Sequence, residues 1–471
     1  MQPTFFFYDL ETSGLSAKND RIMQFAGQRT NLDLEPLGDP INIHQKMSDD
    51  TLPSPGAVMV TGITPQQTLE DGYTEHDLAD YLLSEIFTPN TIIVGYNSCR
   101  FDDEFLRYLF WRTFHDPYEW SWKDGRSHWD ILDLVRLTRA IRPEGINWPF
   151  RDDGKPTNRL ELITKLNGVS HEHAHDALSD VYATIAVSKL IKDRQPELWD
   201  YLLKMRDKKQ VLRLVNLNNP KPFVYASGRY SNDYNKTTVA FPLAPSKNGR
   251  IIVFDLRHNL DELIKKGASF KKRDKNDSCP SFYPIVKELA PNRCPAIAPL
   301  GVLEKDDGWA KLQLSKSQIE KNLQSLLSHP EFAEQARSHY EEKPDFPKED
   351  DPDNTLYEGF LDDHDRNLCD VVHAADKSRL ADLHPDFYDP RLTPLLLHYK
   401  ARNYPKTLDE QEEQEWQKYR ETRLKSQAPI FLKEWQDFRQ QLASPDNTLR
   451  PDADFILEEL KLWYESIQPY N

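Results

Sequence analysis

Asp9 and Glu11 in FFFYDLETSG, Asp102 in GYNSCRFDDE, and His175 and Asp180 in HAHDALSD combine residue types that bind cations with one that moves protons. Bare carboxylates held close together repel, and one keeps its proton unless a cation neutralises the set. Hard oxygen donors call for Mg²⁺, or for Mn²⁺ in its place. An imidazole titrates near neutrality and can accept a proton from water. The chemistry this set could do is metal-assisted hydrolysis, with Asp9, Glu11, Asp102 and Asp180 as ligands and His175 as general base.

The elements that must position these groups are legible around them. Phe5 to Tyr8 is an apolar run that closes at Gly14, which predicts a buried strand. Alternation on a strand puts residues i and i+2 on one face, so Asp9 and Glu11 lie side by side. A second strand, TIIVGYN, precedes Asp102, which opens an amphipathic stretch running from Asp103 to Phe110. Asp180 falls in a helix expected from about Asp176 to Lys192. His175 precedes that helix, and five helical steps of about 100° set it about 140° from Asp180, at the flank of the ligands. Each piece also has an ordinary reading: a lone D-x-E is common, DDE suits the positive end of a helix, and a histidine before a helix is often a cap.

The joint pattern is more specific. A strand D-x-E, an N-x4-D from Asn97 to Asp102, and an H-x4-D opening a helix follow in the order β, βα, α. This resembles the DEDDh exonucleases. The resemblance implies a ribonuclease H-like fold, two divalent ions about 4 Å apart on the scissile phosphate, and 3′→5′ release of 5′-mononucleotides. It implies that Asp9 bridges both ions, that Glu11 and Asp180 complete the shell of one, and that Asp102 helps hold the other.

With 471 residues there is room for about three domains. No 18-residue apolar run and no basic leader with a cleavage site occur, so a soluble, unexported, cytoplasmic protein without membrane contact is expected. Cys99, Cys279, Cys294 and Cys369 are far apart and form no C-x2-C pair, which argues against structural zinc and disulfides. The net charge of −16 is uneven. Residues 1–195 carry 19 basic against 30 acidic side chains, and residues 301–471 carry 22 against 36, whereas residues 196–300 carry 19 against 10. A basic segment inside an acidic chain suits a polyanion.

Past Lys192 a helical connection leads to Pro220 and Pro222, and then to FVYASG, TTVAFPLA and GRIIVFDL, separated by the turn formers SNDYN and SKNG. These predict the hairpins of a small barrel. Ser315 to Glu342 reads as helix, EEKPDFPKEDDPDN as an acidic linker, and Leu356 onward as helical. The layout is α/β (α+β) and multidomain: a nuclease domain with a mixed sheet over 1–195, a barrel with a helical insertion over 196–345, and an all-α domain over 350–471.

Within the DEDDh group, this layout resembles the bacterial exonuclease I family, carried by GYNSCRFDDE, FHDPYEWSW, RPEGINWP, EHAHDALSDVYATIA, LYEGF and YKARNYPKTLDE. The first motif departs from the family pattern at Leu10, where an aromatic is expected, and at Ser13, where Phe is expected. The resemblance implies an SH3-like barrel, processive digestion of single-stranded DNA, service in repair and recombination, and contact with the acidic C-terminal tail of single-stranded DNA-binding protein. Basic residues such as Lys221 would rim the pocket for that tail.

For the strand itself, RYLFWRTFHDPYEWSW interleaves arginines with rings on which bases can stack. Helical spacing predicts that Phe110 and Trp111 are core, whereas Tyr118 and Trp122, beyond Pro117, are the stacking candidates. Arg107, Arg136 and Arg142 are candidate phosphate contacts, and by resemblance Arg159 contacts substrate near the active site. A monomer is expected, since one chain can close a channel around a single strand. A DEDDh ribonuclease or proofreading exonuclease, and a non-catalytic single-stranded DNA scaffold, remain open alternatives at this point.

Overall fold

The computed structural model describes residues 2–169, 176–270, 280–283, 285–342 and 348–468. The chain divides into two compact units, one formed by residues 1–126, 172–182 and 347–471, the other by 127–171 and 183–346. The first holds strands β1 (Thr4–Thr12), β2 (Ile22–Thr30), β3 (Ile41–His44) and β4 (Thr91–Gly95), and helices α1 (Pro55–Thr61), α2 (Pro65–Asp71), α3 (Glu75–Tyr81) and α4 (Asp102–Arg112). It also holds α14 (Asp363–His373), α15 (Leu392–Asn403), α16 (Glu410–Leu442) and α17 (Ala453–Ile467). Helix α7 (Ala177–Arg194) begins in this unit and carries the chain into the other.

The apolar start of β1 does what its composition dictates: Phe5, Phe6, Phe7 and Tyr8 are all buried. The strands lie in the order β3-β2-β1-β4, with β1 antiparallel to β2 and parallel to β4, so this part of the sheet is mixed. Phe110 and Trp111 are buried as the helical spacing predicts. A second apolar core joins Met23, Val58 and Met59 to Leu424, Phe431, Leu457 and Trp463, so the C-terminal helices bury their faces on this unit.

The stretch read as an acidic linker is, in part, an anchor. Residues 343–347 lie outside the described residues, but Asp353 is fully buried among arginines brought from far along the chain. Its Oδ2 accepts from Arg21 Nη2 at 3.1 Å and from Arg402 Nη2, and its Oδ1 lies 2.9 Å from His398 Nδ1. The same Arg402 nitrogen reaches Asp50 at 2.7 Å. A run of acidic residues and prolines looks solvated because its partners lie 45, 49 and 332 positions away.

The second unit holds β5 (Ser127–Asp130), α5 (Leu132–Ile141), α6 (Leu160–Leu166), α8 (Pro196–Met205), α9 (Lys208–Leu214), α10 (Leu260–Lys265), α11 (Gly308–Lys311), α12 (Lys316–Leu327) and α13 (Glu331–Glu341). Its antiparallel sheet is β6 (Phe223–Ala226), β7 (Thr237–Pro245), β8 (Ile251–Asp255), β9 (Val286–Leu289) and β10 (Ala296–Pro299), in the order β10-β6-β7-β8-β9. The SKNG turn joins β7 to β8 with Asn248 and Gly249 at φ of 58° and 69°, the left-handed pair that Asn-Gly supplies at little cost. Among the described residues no helix is long and apolar enough to cross a membrane.

Candidate active site

Alternation on β1 turns Leu10 and Thr12 inward and leaves Asp9 and Glu11 half-buried on the opposite face. The parallel register of β1 with β4 runs from Thr4 beside Thr91 to Phe7 beside Val94, and β4 then ends at Gly95. Two parallel strands end on the same side, so the segment leaving β4 arrives next to Asp9. Gly95 allows a tight exit, because a Cβ there would meet the Ser98 side chain at 2.5 Å. Asn97 takes the left-handed conformation at φ 68°, a short 3₁₀ turn follows over Ser98–Arg100, and Asp102 opens α4. Its neighbour Asp103 accepts the Tyr8 hydroxyl at 2.6 Å, which ties the start of α4 to β1.

Helix α7 is docked by β2. Gln24 pairs across the sheet with Glu11; its amide oxygen accepts from the Ala177 backbone N–H at 3.4 Å, and its amide nitrogen approaches Asp176 Oδ1 at 3.5 Å. Asp176 caps the helix by accepting the Ser179 N–H at 3.1 Å. This brings Asp180, in the first turn, to β1, and carboxylate oxygens of Asp9, Glu11 and Asp180 lie within 4.8 Å of one another.

The electrostatics follow from that crowding. Burial pushes the Asp9 carboxyl well above its usual range, and the charges of Asp102, Asp180, Glu11 and Asp176 push it further. Burial raises Glu11 to about 8, with Asp180, Asp102 and Asp176 adding to it. Among the described residues, the charged groups that act most strongly on Asp9 and Glu11 are all carboxylates. The donors that converge here, among the described residues, are carboxylate oxygens, which ionise together when cations neutralise them, so the donor set fits hard divalent ions.

The structure thus draws Asp9, Glu11, Asp102 and Asp180 into one electrostatic cluster, while His175 lies outside the described residues. Sequence reasoning missed Asp176 as a fifth carboxylate and Gln24 as its support. An Asp directly before a helix is a capping signal, but its nearness to Glu11 depends on the β2 register. Leu10 and Ser13 are both buried, and Ser13 Oγ accepts from the Arg21 N–H at 2.9 Å.

The other candidate contacts fall in both units. Within the first, Arg107 is paired with Glu104 at 2.7 Å, Tyr118 is half-buried against Phe360 with ring centroids 5.9 Å apart, and Trp122 is 61% exposed. Within the second, Arg136 is paired with Asp133, and Arg142 donates to the Val302 carbonyl at 2.9 Å and meets Asp306 at 3.3 Å. Arg159 stands exposed before α6, and Lys221 is exposed before β6. Burial lowers Lys236, and Arg136 and Arg151 lower it further, a basic cluster that the charge count of residues 196–300 reveals only in part.

Three family models match in succession: "Exonuclease" over residues 6–188, "Exonuclease I SH3-like domain" over 206–342, and "Exonuclease I C-terminal domain" over 350–467. Exodeoxyribonuclease I of Haemophilus influenzae is 40% identical over 437 residues, covering 91% of this chain and 92% of that protein. Exodeoxyribonuclease I of Escherichia coli is 39% identical over 447 residues, covering 94% and 93%. The crystal structure of E. coli exonuclease I in complex with a dA16 oligonucleotide superposes with a TM-score of 0.91 at 37% identity, over 99% of this chain and 100% of that one. Two further structures at 36% identity, each spanning 99% of this chain and 100% of the other, are a zinc ion bound form of the E. coli complex with single-stranded DNA (TM-score 0.90) and SSB/exonuclease I with the inhibitor CFAM (TM-score 0.87). With the nuclease, SH3-like and C-terminal regions matched in the same chain, and with relatives aligned along nearly all of it, the chain belongs to the exonuclease I family.

Proposed function

We propose that this chain is a processive 3′→5′ exonuclease that hydrolyses single-stranded DNA to 5′-mononucleotides in repair and recombination. The observation that carries the reading is the convergence of Asp9, Glu11 and Asp180 within 4.8 Å, under the charge of Asp102, in a member of the exonuclease I family. These four carboxylates would hold two Mg²⁺ ions, with Mn²⁺ an alternative. Bound there, the ions supply charge neutralisation at the phosphate, activation of the attacking water and stabilisation of the leaving 3′ oxygen.

The chain's own residues do the rest. Asp9 would be a ligand to both ions, Glu11 and Asp180 would complete the shell of the ion that bears the water, and Asp102 would help hold the second. His175, outside the described residues, takes the water's proton, since an imidazole titrates near neutrality whereas the four carboxylates would be committed to the ions. Exposed Trp122, with Tyr118 beside it in sequence, stacks bases, and Arg159 and the basic cluster around Lys236 attract the phosphate backbone. Arg107, Arg136 and Arg142 reach phosphates only by exchanging the partners they already hold.

The protein acts as a cytoplasmic monomer of three domains, 1–195, 196–345 and 350–471. It docks the acidic tail of single-stranded DNA-binding protein on a basic rim that includes Lys221, a reading supported by the SSB/exonuclease I structure of the relative.

The test is Mg²⁺-dependent digestion of matched 5′- and 3′-labelled DNA and RNA, single- and double-stranded, with a trap competitor. Release of mononucleotides from the 3′ end of single-stranded DNA alone is expected. Unchanged release by Asp9→Ala would remove the catalytic assignment, and equal digestion of RNA would remove the substrate assignment.

A further inference from the structure

A second cluster of metal-binding side chains lies elsewhere in the first unit. His76 and Asp80 are one turn apart on α3 and therefore share a face. His115 follows α4, after Phe114 turns the chain through φ 61°, and His373 is the last residue of α14. Ligand atoms of Asp80, His115 and His373 lie within 4.8 Å of one another. The Asp80 carboxylate is shared, with Oδ1 2.9 Å from His115 Nε2 and Oδ2 3.2 Å from His76 Nε2. The His115 and His373 rings face each other with centroids 4.3 Å apart.

The His115 ring is held from its outer side: Nδ1 lies 3.0 Å from the Thr113 hydroxyl oxygen, which is itself 2.8 Å from the Leu109 carbonyl, and this sets Nε2 toward Asp80. At His76, Nδ1 lies 3.0 Å from the Tyr399 hydroxyl, again an outer partner that orients the ring with Nε2 toward Asp80.

The geometry points to a site for a zinc-class divalent ion held by Asp80, His115 and His373, with His76 as a further donor. Mixed imidazole and carboxylate donors select Zn²⁺, Co²⁺ or Ni²⁺ over Mg²⁺, which separates this site from the carboxylates Asp9, Glu11, Asp102 and Asp180. His76 and His115 are buried, while the Asp80 side chain is 49% exposed, which leaves a way in. That way opens on a cleft lined by Asp71, Tyr73, Asp77 and Asp80, whose carboxylates attract cations. Asp370, 3.4 Å from His373 Nε2, adds another carboxylate at the rim. A bound ion would bolt α3 and the loop after α4 to α14, fastening the C-terminal helices to the edge of the nuclease fold.

The experiment is calorimetric titration of the full chain with Zn²⁺ under excess Mg²⁺, on wild type, Asp9→Asn and the double variant His115→Gln/His373→Gln. One Zn²⁺ equivalent retained in Asp9→Asn and lost in the double variant, together with a zinc-dependent rise in the melting temperature of wild type and Asp9→Asn but not of the double variant, is expected. The single variant His373→Gln, at a partly exposed helix end, covers the case in which the double variant does not fold, and it should bind at least 10-fold more weakly. X-ray absorption of the Zn²⁺-loaded Asp9→Asn protein should display outer-shell scattering from imidazole. Binding that Asp9→Asn abolishes, binding unchanged in both histidine variants, or an all-oxygen shell without imidazole would each overturn the site.

Discussion

Tyr8 and Asp103, 95 residues apart, are joined by a buried hydrogen bond of 2.6 Å in which the phenol donates to the carboxylate. Burial first, and then the Asp103 and Asp102 charges, push the Tyr8 phenol well above its usual range, so it stays a donor at every working pH. The bond sits directly beside two ligands, because Tyr8 precedes Asp9 and Asp103 follows Asp102. Tyr8→Phe leaves a buried carboxylate oxygen short of its donor, at a cost of about 1.5–3 kcal/mol. Denaturant unfolding should report that loss. Steady-state kinetics should show a lower kcat with little change in KM, and an unchanged kcat would mean that Asp102 is positioned by something else.

Glu11 makes a pH prediction for the metal-free protein. Its folded pKa is raised to about 8, by burial and then by Asp180, Asp102 and Asp176, whereas an unfolded glutamate titrates near about 4.3. The folded chain keeps a proton that the unfolded chain releases, so stability without metal falls as pH rises between those values. Glu11→Gln should raise the melting temperature in EDTA at pH 8 and remove most of the Mg²⁺-dependent rise seen in wild type. A variant that is less stable in EDTA would contradict the repulsion argument.

The arginine cluster predicts the opposite slope in acid. Burial alone would raise Asp50, Glu75 and Asp353, but Arg402 acting on Asp50 and Asp353, and Arg112 on Glu75, hold all three below the usual carboxylate range. Depressed folded values stabilise above the unfolded range near about 4 and lose that contribution as pH falls through the folded values. Asp353→Asn leaves Arg21 and Arg402 short of a buried partner and should cost about 3–5 kcal/mol at neutral pH. Chemical unfolding from pH 7 down to pH 2 should find a shallower acid slope in the variant than in wild type.

Trp122 offers the cleanest test of base stacking, because its exposed ring can be removed with little effect on the core. Stacking is worth about 1–3 kcal/mol per base, so Trp122→Ala should weaken single-stranded DNA binding about 5-fold or more. Fluorescence anisotropy with two homopolymers checks it, and equal weakening on both is expected, since every base has a face to stack.

What the sequence determined by itself is whatever depends on short covalent spacing. The two-residue period of β1 already sets Asp9 beside Glu11, the Asn-Gly of SKNG already writes a tight hairpin, and the helical spacing of Phe110 and Trp111 already marks them as core. Resemblance extended that to Asp102 and Asp180 and to the family. Tertiary structure decided what depends on groups meeting from distant positions. Gln24 reaches Asp176 only through the β2 register, and Arg107, Arg136 and Arg142 prove to be paired already. Asp353, in a stretch that reads as linker, finds Arg21, Arg402 and His398, and three separate segments carry Asp80, His115 and His373 to one point. Local periodicity is written in the backbone's own geometry, whereas the partner of a buried charge is chosen by packing, which no short window of residues contains.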